Sequence, residues 1–199
     1  MSQRDCASIL PADTSAGPLG PLFAQHQLRD PSRARQRLTE AGIDAALESE
    51  IRIKRNGLFC GLARVLPHGG KYFDFDEAGR WCCILPELWC EEIVDLVAFT
   101  LREPKFLATY CGLTALLGEE GVSREIFVTG ETRLWDDPLQ WLKAGCQGGV
   151  LLEFDPPPSV LHGARINCAS FELSDRLIKA MAMPRPVCDV QTLKGGRAA

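Results

Sequence analysis

KYFDFDEAGRWCCIL (residues 71–85) decides the fold, because it alternates in two runs around a glycine-bearing turn. If Glu77-Ala78-Gly79 is a three-residue hairpin loop with Gly79 left-handed, Asp76 faces Arg80 and the register follows. Phe75 then opposes Trp81 and Phe73 opposes Cys83 on one face, while Asp74 opposes Cys82 and Tyr72 opposes Ile84 on the other. Neighbouring side chains of a strand point to opposite faces, so Cys82 and Cys83 look away from each other. Cys90 lies past Pro86 in a connector, and the chain has no C-x-x-C. The thiols of WCCILPELWC (81–90) therefore read as buried small hydrophobes rather than zinc ligands, and neither a metal nor a cofactor is expected.

Outward from this hairpin, IVDLVAF (93–99) is apolar nearly throughout and reads as a central strand. IRIKRNGLFCGLARVL (51–66) alternates on both sides of Asn56-Gly57, which predicts another hairpin. Ahead of it, RDPSRARQRLTEAG (29–42) has helix grammar: Asp30 as N-cap, Pro31 in the first turn, Gly42 as stop. Ala34, Leu38 and Ala41 share its inner face, with Arg33, Arg37 and Glu40 outside. IDAALESE (43–50) reads as a second, shorter helix. KFLATYCGLTALLGEEG (105–121) fits either a strand plus a helical turn or one helix. In DDPLQWLKAGCQGGVLLEFDPPPS (136–159), Asp137 caps a helix opened by Pro138 and closed by Gly145. Its Leu139 and Leu142 face inward, and VLLEF (150–154) follows as a strand. ARINCA (164–169) predicts a last strand, and SFELSDRLIKAM (170–181) a helix with Leu173, Leu177, Ile178 and Met181 inward.

These elements describe an α+β protein: a mostly antiparallel sheet built from hairpins, with a few short helices packed on it. Residues 1–20, with Pro11, Gly17, Pro18 and Gly20, read as a flexible arm, 21–190 as one domain and 191–199 as a loose tail. Hydrophobic content of 46% and charged content of 24% over 199 residues suit a soluble globular chain. No apolar run approaches the ~18 residues that cross a bilayer, so no membrane association is expected. The charged start MSQRDCASIL predicts no export and a cytoplasmic location, where nine scattered cysteines stay reduced.

Signatures of chemistry are incomplete. HGGKY (68–72) lacks the first glycine and the Ser/Thr of a phosphate-binding loop, and His26, His68 and His162 lie far apart. Asp74 and Asp76 form a D-x-D pair of the kind that holds Mg²⁺ in DNA-processing enzymes, but the expected register sets Asp76 against Arg80 as an ion pair. Arg33 and Arg37 on a helix, with Arg52, Lys54 and Arg55 at a hairpin tip, suggest a nucleic-acid contact of the winged-helix kind. The helix that would enter the groove carries Asp44, Glu48 and Glu50 and no base. Leu134, Trp135 and Trp141 flank a capped helix and are candidate anchors for a protein partner. Residues 74–137 carry 5 Lys+Arg against 14 Asp+Glu, a second surface for such a partner.

IVDLVAF (93–99) and WDDPLQWLKAGCQGGVLLEF (135–154) resemble uncharacterised proteins of bacterial prophages and other mobile elements. The resemblance spans residues 71–154 and rests on structural motifs, so it implies a setting and no activity, and no site residue follows from it. With no complete catalytic set, the expectation is a non-catalytic accessory protein that binds, and thereby regulates or inhibits, a host or phage macromolecule. A protein partner is expected first. The alternatives are an Mg²⁺-dependent DNA-processing enzyme using Asp74 and Asp76, and a DNA-binding regulator using the basic N-terminal third.

Overall fold

Apolar alternation between residues 61 and 109 produces five strands: β1 (Gly61–His68), β2 (Tyr72–Phe75), β3 (Arg80–Trp89), β4 (Glu92–Phe99) and β5 (Leu107–Thr109). In the computed structural model, which describes residues 19–26, 31–102, 105–155 and 157–182 (31–35 as backbone alone), they close into a barrel in the order β1-β2-β5-β4-β3. One side of the alternation, including Val65, Phe73, Cys82, Ile84, Leu96 and Ala98, forms one core together with Leu19 and with Phe23 of α1 (Gly20–His26). The opposite side, Cys83, Leu85, Val97 and Phe99, packs in a second core against Leu38 of α2 (Pro31–Glu40) and Ile51 of α3 (Ala45–Lys54). Cys82 and Cys83 thus enter two different cores, each 1% exposed, as an extended backbone requires.

The C-terminal half builds a second sheet from β6 (Leu116–Leu117), β7 (Glu131–Trp135), β8 (Gly149–Leu151) and β9 (Arg165–Cys168), in the order β6-β8-β7-β9. β7 is parallel to both β8 and β9, while β6 is antiparallel to β8. α5 (Pro138–Lys143) is the β7–β8 crossover; Asp137 caps it by accepting the Gln140 N–H at 2.9 Å. Leu142 and Trp141 of α5 join the core under the barrel. α4 (Glu119–Thr129) and α6 (Phe171–Ala182) cover the other face through Val122, Leu173 and Leu177. The molecule is α+β, with its strands divided between a largely antiparallel barrel and a largely parallel sheet. Among the described residues no helix is long and apolar enough to cross a membrane.

Several local expectations are corrected. β2 and β3 do not pair with each other: β1 lies between them, with Val65 opposite Phe75 on one side and Arg80 on the other. Arg80 therefore faces Val65 rather than Asp76, whose carboxylate instead accepts the Ala78 N–H at 2.7 Å. Gly79 is not left-handed. It is glycine because residues 76–79 cross β1 so closely that a Cβ would stand 2.2 Å from the Val65 carbonyl oxygen. The hairpin turn is instead at 69–71, between paired His68 and Tyr72, with Gly69 and Gly70 at φ 59° and 79°.

Asn56-Gly57 (φ 51° and 83°) ends α3 rather than turning a hairpin, with the Gly57 N–H bonded to the Arg52 carbonyl at 2.7 Å. The left-handed conformations that suit a tight hairpin also suit a helix C-terminus, and the apolar spacing of IRIK fits both periods. Residues 105–121 resolve into β5, a connector, β6 and the start of α4. On α6, Ala180 is buried while Ile178 (62% exposed) and Met181 face outward. Leu19 and Gly20 are buried, so packed chain begins before the expected boundary at 21; the cap Asp30, most of the arm and the tail 191–199 lie outside the described residues.

Asp95 fastens the connector. Its carboxylate is fully buried and accepts the N–H groups of Leu96, Cys111, Leu113 and Thr114 at 2.8–3.0 Å. Asp95→Asn puts an NH₂ group among donors and strands buried N–H groups, at a cost of about 3 kcal/mol. A urea unfolding midpoint lowered accordingly is expected; an unchanged midpoint would deny the carboxylate this role.

Candidate functional site

A cleft of about 820 Å³ lies between α2, the start of β3 and the end of β4. Gln36, Arg37, Arg80, Trp81, Thr100 and Arg102 line it. α2 presents Arg37 one turn before its end, and β3 begins with Arg80 and Trp81 because the crossing at Gly79 delivers them to the barrel rim. Trp81 is 45% exposed on the barrel's outer face, and the Arg64 guanidinium lies 5.3 Å from its ring centroid. Arg80 stands similarly over Phe106 at 5.2 Å. Arg102 pairs with Glu40 at 2.8 Å, an exposed contact that water and salt weaken. The backbone of β3 at Cys82 and Cys83 runs behind it, with the two thiols in separate cores. Burial pushes the Cys82 thiol up to about 11, and a hydrogen bond with Cys60, together with burial, pushes Cys83 well up, so neither is a ready nucleophile.

The second cleft, about 500 Å³, opens where the end of α3, the end of β3 and the start of α4 meet. Glu87, 4% exposed, accepts the Gly118 and Glu119 N–H groups at 2.9–3.1 Å. Arg55, 6% exposed, donates through Nη2 to the Pro86 carbonyl and lies 5.1 Å from the Trp141 ring centroid. Burial pushes the Glu87 carboxyl up to about 7, against the opposing pull of Arg55 and the two amides. Burial also pushes the neighbouring Cys146 thiol up to about 11.

Of the residues singled out as basic contacts, only Arg37 reaches the larger cleft. Arg33 belongs to α2, with its side chain outside the described residues. Arg52, Lys54 and Arg55 sit at the C-terminal end of α3, not on a hairpin tip. Arg52 pairs with Glu48 at 2.8 Å and Lys54 with Glu50 at 2.7 Å, and Arg55 is interior. Leu134 (0% exposed) and Trp141 (2%) are core and offer no anchor to a partner. Leu134 points from β7 into the core under α4 and α6, and Trp141 from α5 into the core under the barrel. Trp135 is half-buried, its indole N–H spent on the Gln147 carbonyl at 2.8 Å. Asp74 faces Leu66 across the β1–β2 ladder, and among the described residues no three His, Cys, Asp or Glu side chains are grouped to hold a metal.

Arg80, Trp81, Arg102, Glu87 and Asp95 escaped the sequence reading as site residues. Two of them carried a signal: a carboxylate inside an apolar strand such as IVDLVAF must be satisfied by donors when buried. The cleft arginines carried none, since α2, β3 and the segment after β4 meet only in three dimensions. Compared with known proteins, the chain matches no family model and no curated sequence.

Glu87 makes stability depend on pH. Its folded-state value is above the ordinary 4.5, so the stability it contributes is complete below that pH and is lost as pH rises through about 7. Glu87→Gln is expected to flatten this share of the decline, about 3 kcal/mol, in melts recorded across that window. An undiminished slope in the variant would place the titration elsewhere.

Proposed function

We propose that the protein acts without catalysis, as a binding protein that holds a single nucleic-acid strand in the cleft between α2 and the barrel. The observation that carries this is the convergence of Arg37, Arg80 and Arg102 beside the half-exposed ring of Trp81. Guanidinium groups pair with phosphates in a bidentate way, and an exposed indole gives a base a stacking surface regardless of sequence. A strand phosphate has only the solvent-exposed Glu40 to displace from Arg102. The thiols of Cys82 and Cys83 are pushed up and buried in their cores, and among the described residues no histidine lines the cleft, which supports binding rather than turnover. A mobile-element setting belongs to the same proposal and rests on the resemblance of residues 93–99 and 135–154; regulation of host or phage nucleic acid is the role that fits it.

Fluorescence anisotropy with a labelled single-stranded oligonucleotide tests the reading. Three phosphate contacts on a single strand give a slope of log affinity against log salt near about −2, or roughly 100-fold weaker binding for each tenfold rise in salt. Replacing Arg37, Arg80 and Arg102 together by alanine is expected to remove most of that slope, and Trp81→Ala to weaken binding about tenfold or more. A flat salt response, or a triple variant that binds as the parent does, refutes the strand. A protein ligand occupying the same arginines would restore the expectation of a protein partner.

A further inference from the structure

β9 is the edge of its sheet: among the described residues no strand lies beyond it. The Arg165 and Ala169 N–H groups bond back to the Gly130 and Leu134 carbonyls at 2.9 Å. By alternation the N–H and C=O groups of Ile166 and Cys168 point away from β7. Such an edge is a template for another strand. Nothing blunts this one, for it has neither proline nor bulge, and its one charge, Arg165, is paired with Glu131 at 2.6 Å.

α6 adds an apolar flank on the same side. Phe171, Ser174, Ile178 and Met181 recur at helical spacing in one row beside the buried Leu173 and Leu177. Phe171 is 93% exposed and Ile178 62%. Two contacts orient that row. Ser174 is hydrogen-bonded to the Cys168 thiol of β9. Arg176, on the other flank, lies 3.9 Å from the ring centroid of Phe154, just past β8, where the Glu153 N–H still bonds the Ala115 carbonyl ahead of β6. The row therefore overhangs the open edge of β9.

We propose that β9 and α6 form the interface of a symmetric homodimer, in which two copies of β9 pair antiparallel and two copies of α6 pack over them. A second copy is the occupant because both features answer themselves about one two-fold axis through Asn167. Ile166 exchanges main-chain hydrogen bonds with the partner's Cys168, Arg165 faces the partner's Ala169, and no like charges meet across the ladder. A helix lying on the sheet runs antiparallel to its copy about such an axis, which sets Phe171 towards the partner's Met181 and the small Ser174 towards the partner's Ile178. The spacing fits as well. α6 packs over β7 and β9 through Leu134, Ile166 and Cys168. Centred there, with ~4.8 Å between strands, it stands about 10 Å from its copy, as packed helices do. A four-residue edge and one helix flank make an interface at the small end of the specific range, so a dissociation constant of about 1–100 µM is expected.

Sedimentation velocity on the full chain, in reductant so that no disulfide contributes, is expected to show a monomer–dimer equilibrium in that range. Replacing Phe171 and Ile178 together by glutamate is expected to raise the dissociation constant at least tenfold, because it buries charge in the interface. Both residues are exposed in the single chain, so the variant should fold, with the circular dichroism of the parent. The axis is tested at Asn167, exposed on the sheet face away from α6. Asn167→Asp and Asn167→Lys each set like charges opposite one another and are expected to weaken the dimer severalfold, and mixing the two variants is expected to restore it. A chain that stays monomeric throughout overturns the proposal, and the flank then belongs to the chain beyond residue 182 or to a different protein. A folded Phe171→Glu, Ile178→Glu variant that dimerises as the parent does, or mixed Asn167 variants that associate no better than either alone, overturns it too. None of these results bears on the arginine cleft.

Discussion

Two carboxylates facing each other across a strand pair hold the halves of this protein together. Glu87 on β3 and Asp95 on β4 are register partners, and both are buried. Like charges opposite one another on a ladder ordinarily destabilise it. Here each is turned toward its own set of backbone donors: the amides of 118–119 for Glu87, and those of residues 96, 111, 113 and 114 for Asp95. The chain between barrel and second sheet is thereby sewn to the barrel at both ends. α4 depends on this directly. Its N-cap is Gly118, which has no side chain to offer the first-turn amides, and Glu87 supplies the acceptor from another element. Gly118 is required in turn, since at φ 82° a Cβ would stand 2.9 Å from the Trp141 ring.

What could be read from sequence was whatever local chemistry determines without a partner. Asp137-Pro138 specified the start of α5 because cap and proline act within one turn. The opposed directions of Cys82 and Cys83 survived even though the expected register did not. Facing parity needs only an extended backbone, whereas register needs to know which strand lies alongside. Glycine was the main source of error. In this chain left-handed residues end helices at Asn56-Gly57 and Gly130 and turn a hairpin at Gly69-Gly70. At Gly79 the reason is instead the lack of a Cβ. One residue type serves each purpose, and only the fold distinguishes them.

The sites were harder to read for the same reason, enlarged. The acidic stretch 74–137 looked like a negatively charged surface, yet three of its acids are turned to internal use. Glu87 and Asp95 serve the connector, and Glu125 accepts the Gly148 N–H and the Thr132 hydroxyl, both at 2.8 Å. The same stretch contributes Arg80 and Arg102 to the basic cleft. Conversely, the basic run at 52–55 spends its charge on helix pairs and on the interior. Net charge by segment therefore does not say which charges reach the surface.

The two clefts also differ in what their arginines have given up to be there. Of those in the larger cleft, Arg80 and Arg102 are exposed and Arg37 is half-buried; Arg80 leans on the Phe106 ring and Arg102 on the Glu40 carboxylate, contacts made in reach of water and individually weak. Arg55 has already been desolvated in folding, with Trp141 beneath it and one nitrogen left without an acceptor. What each guanidinium can offer follows from where it stands relative to water.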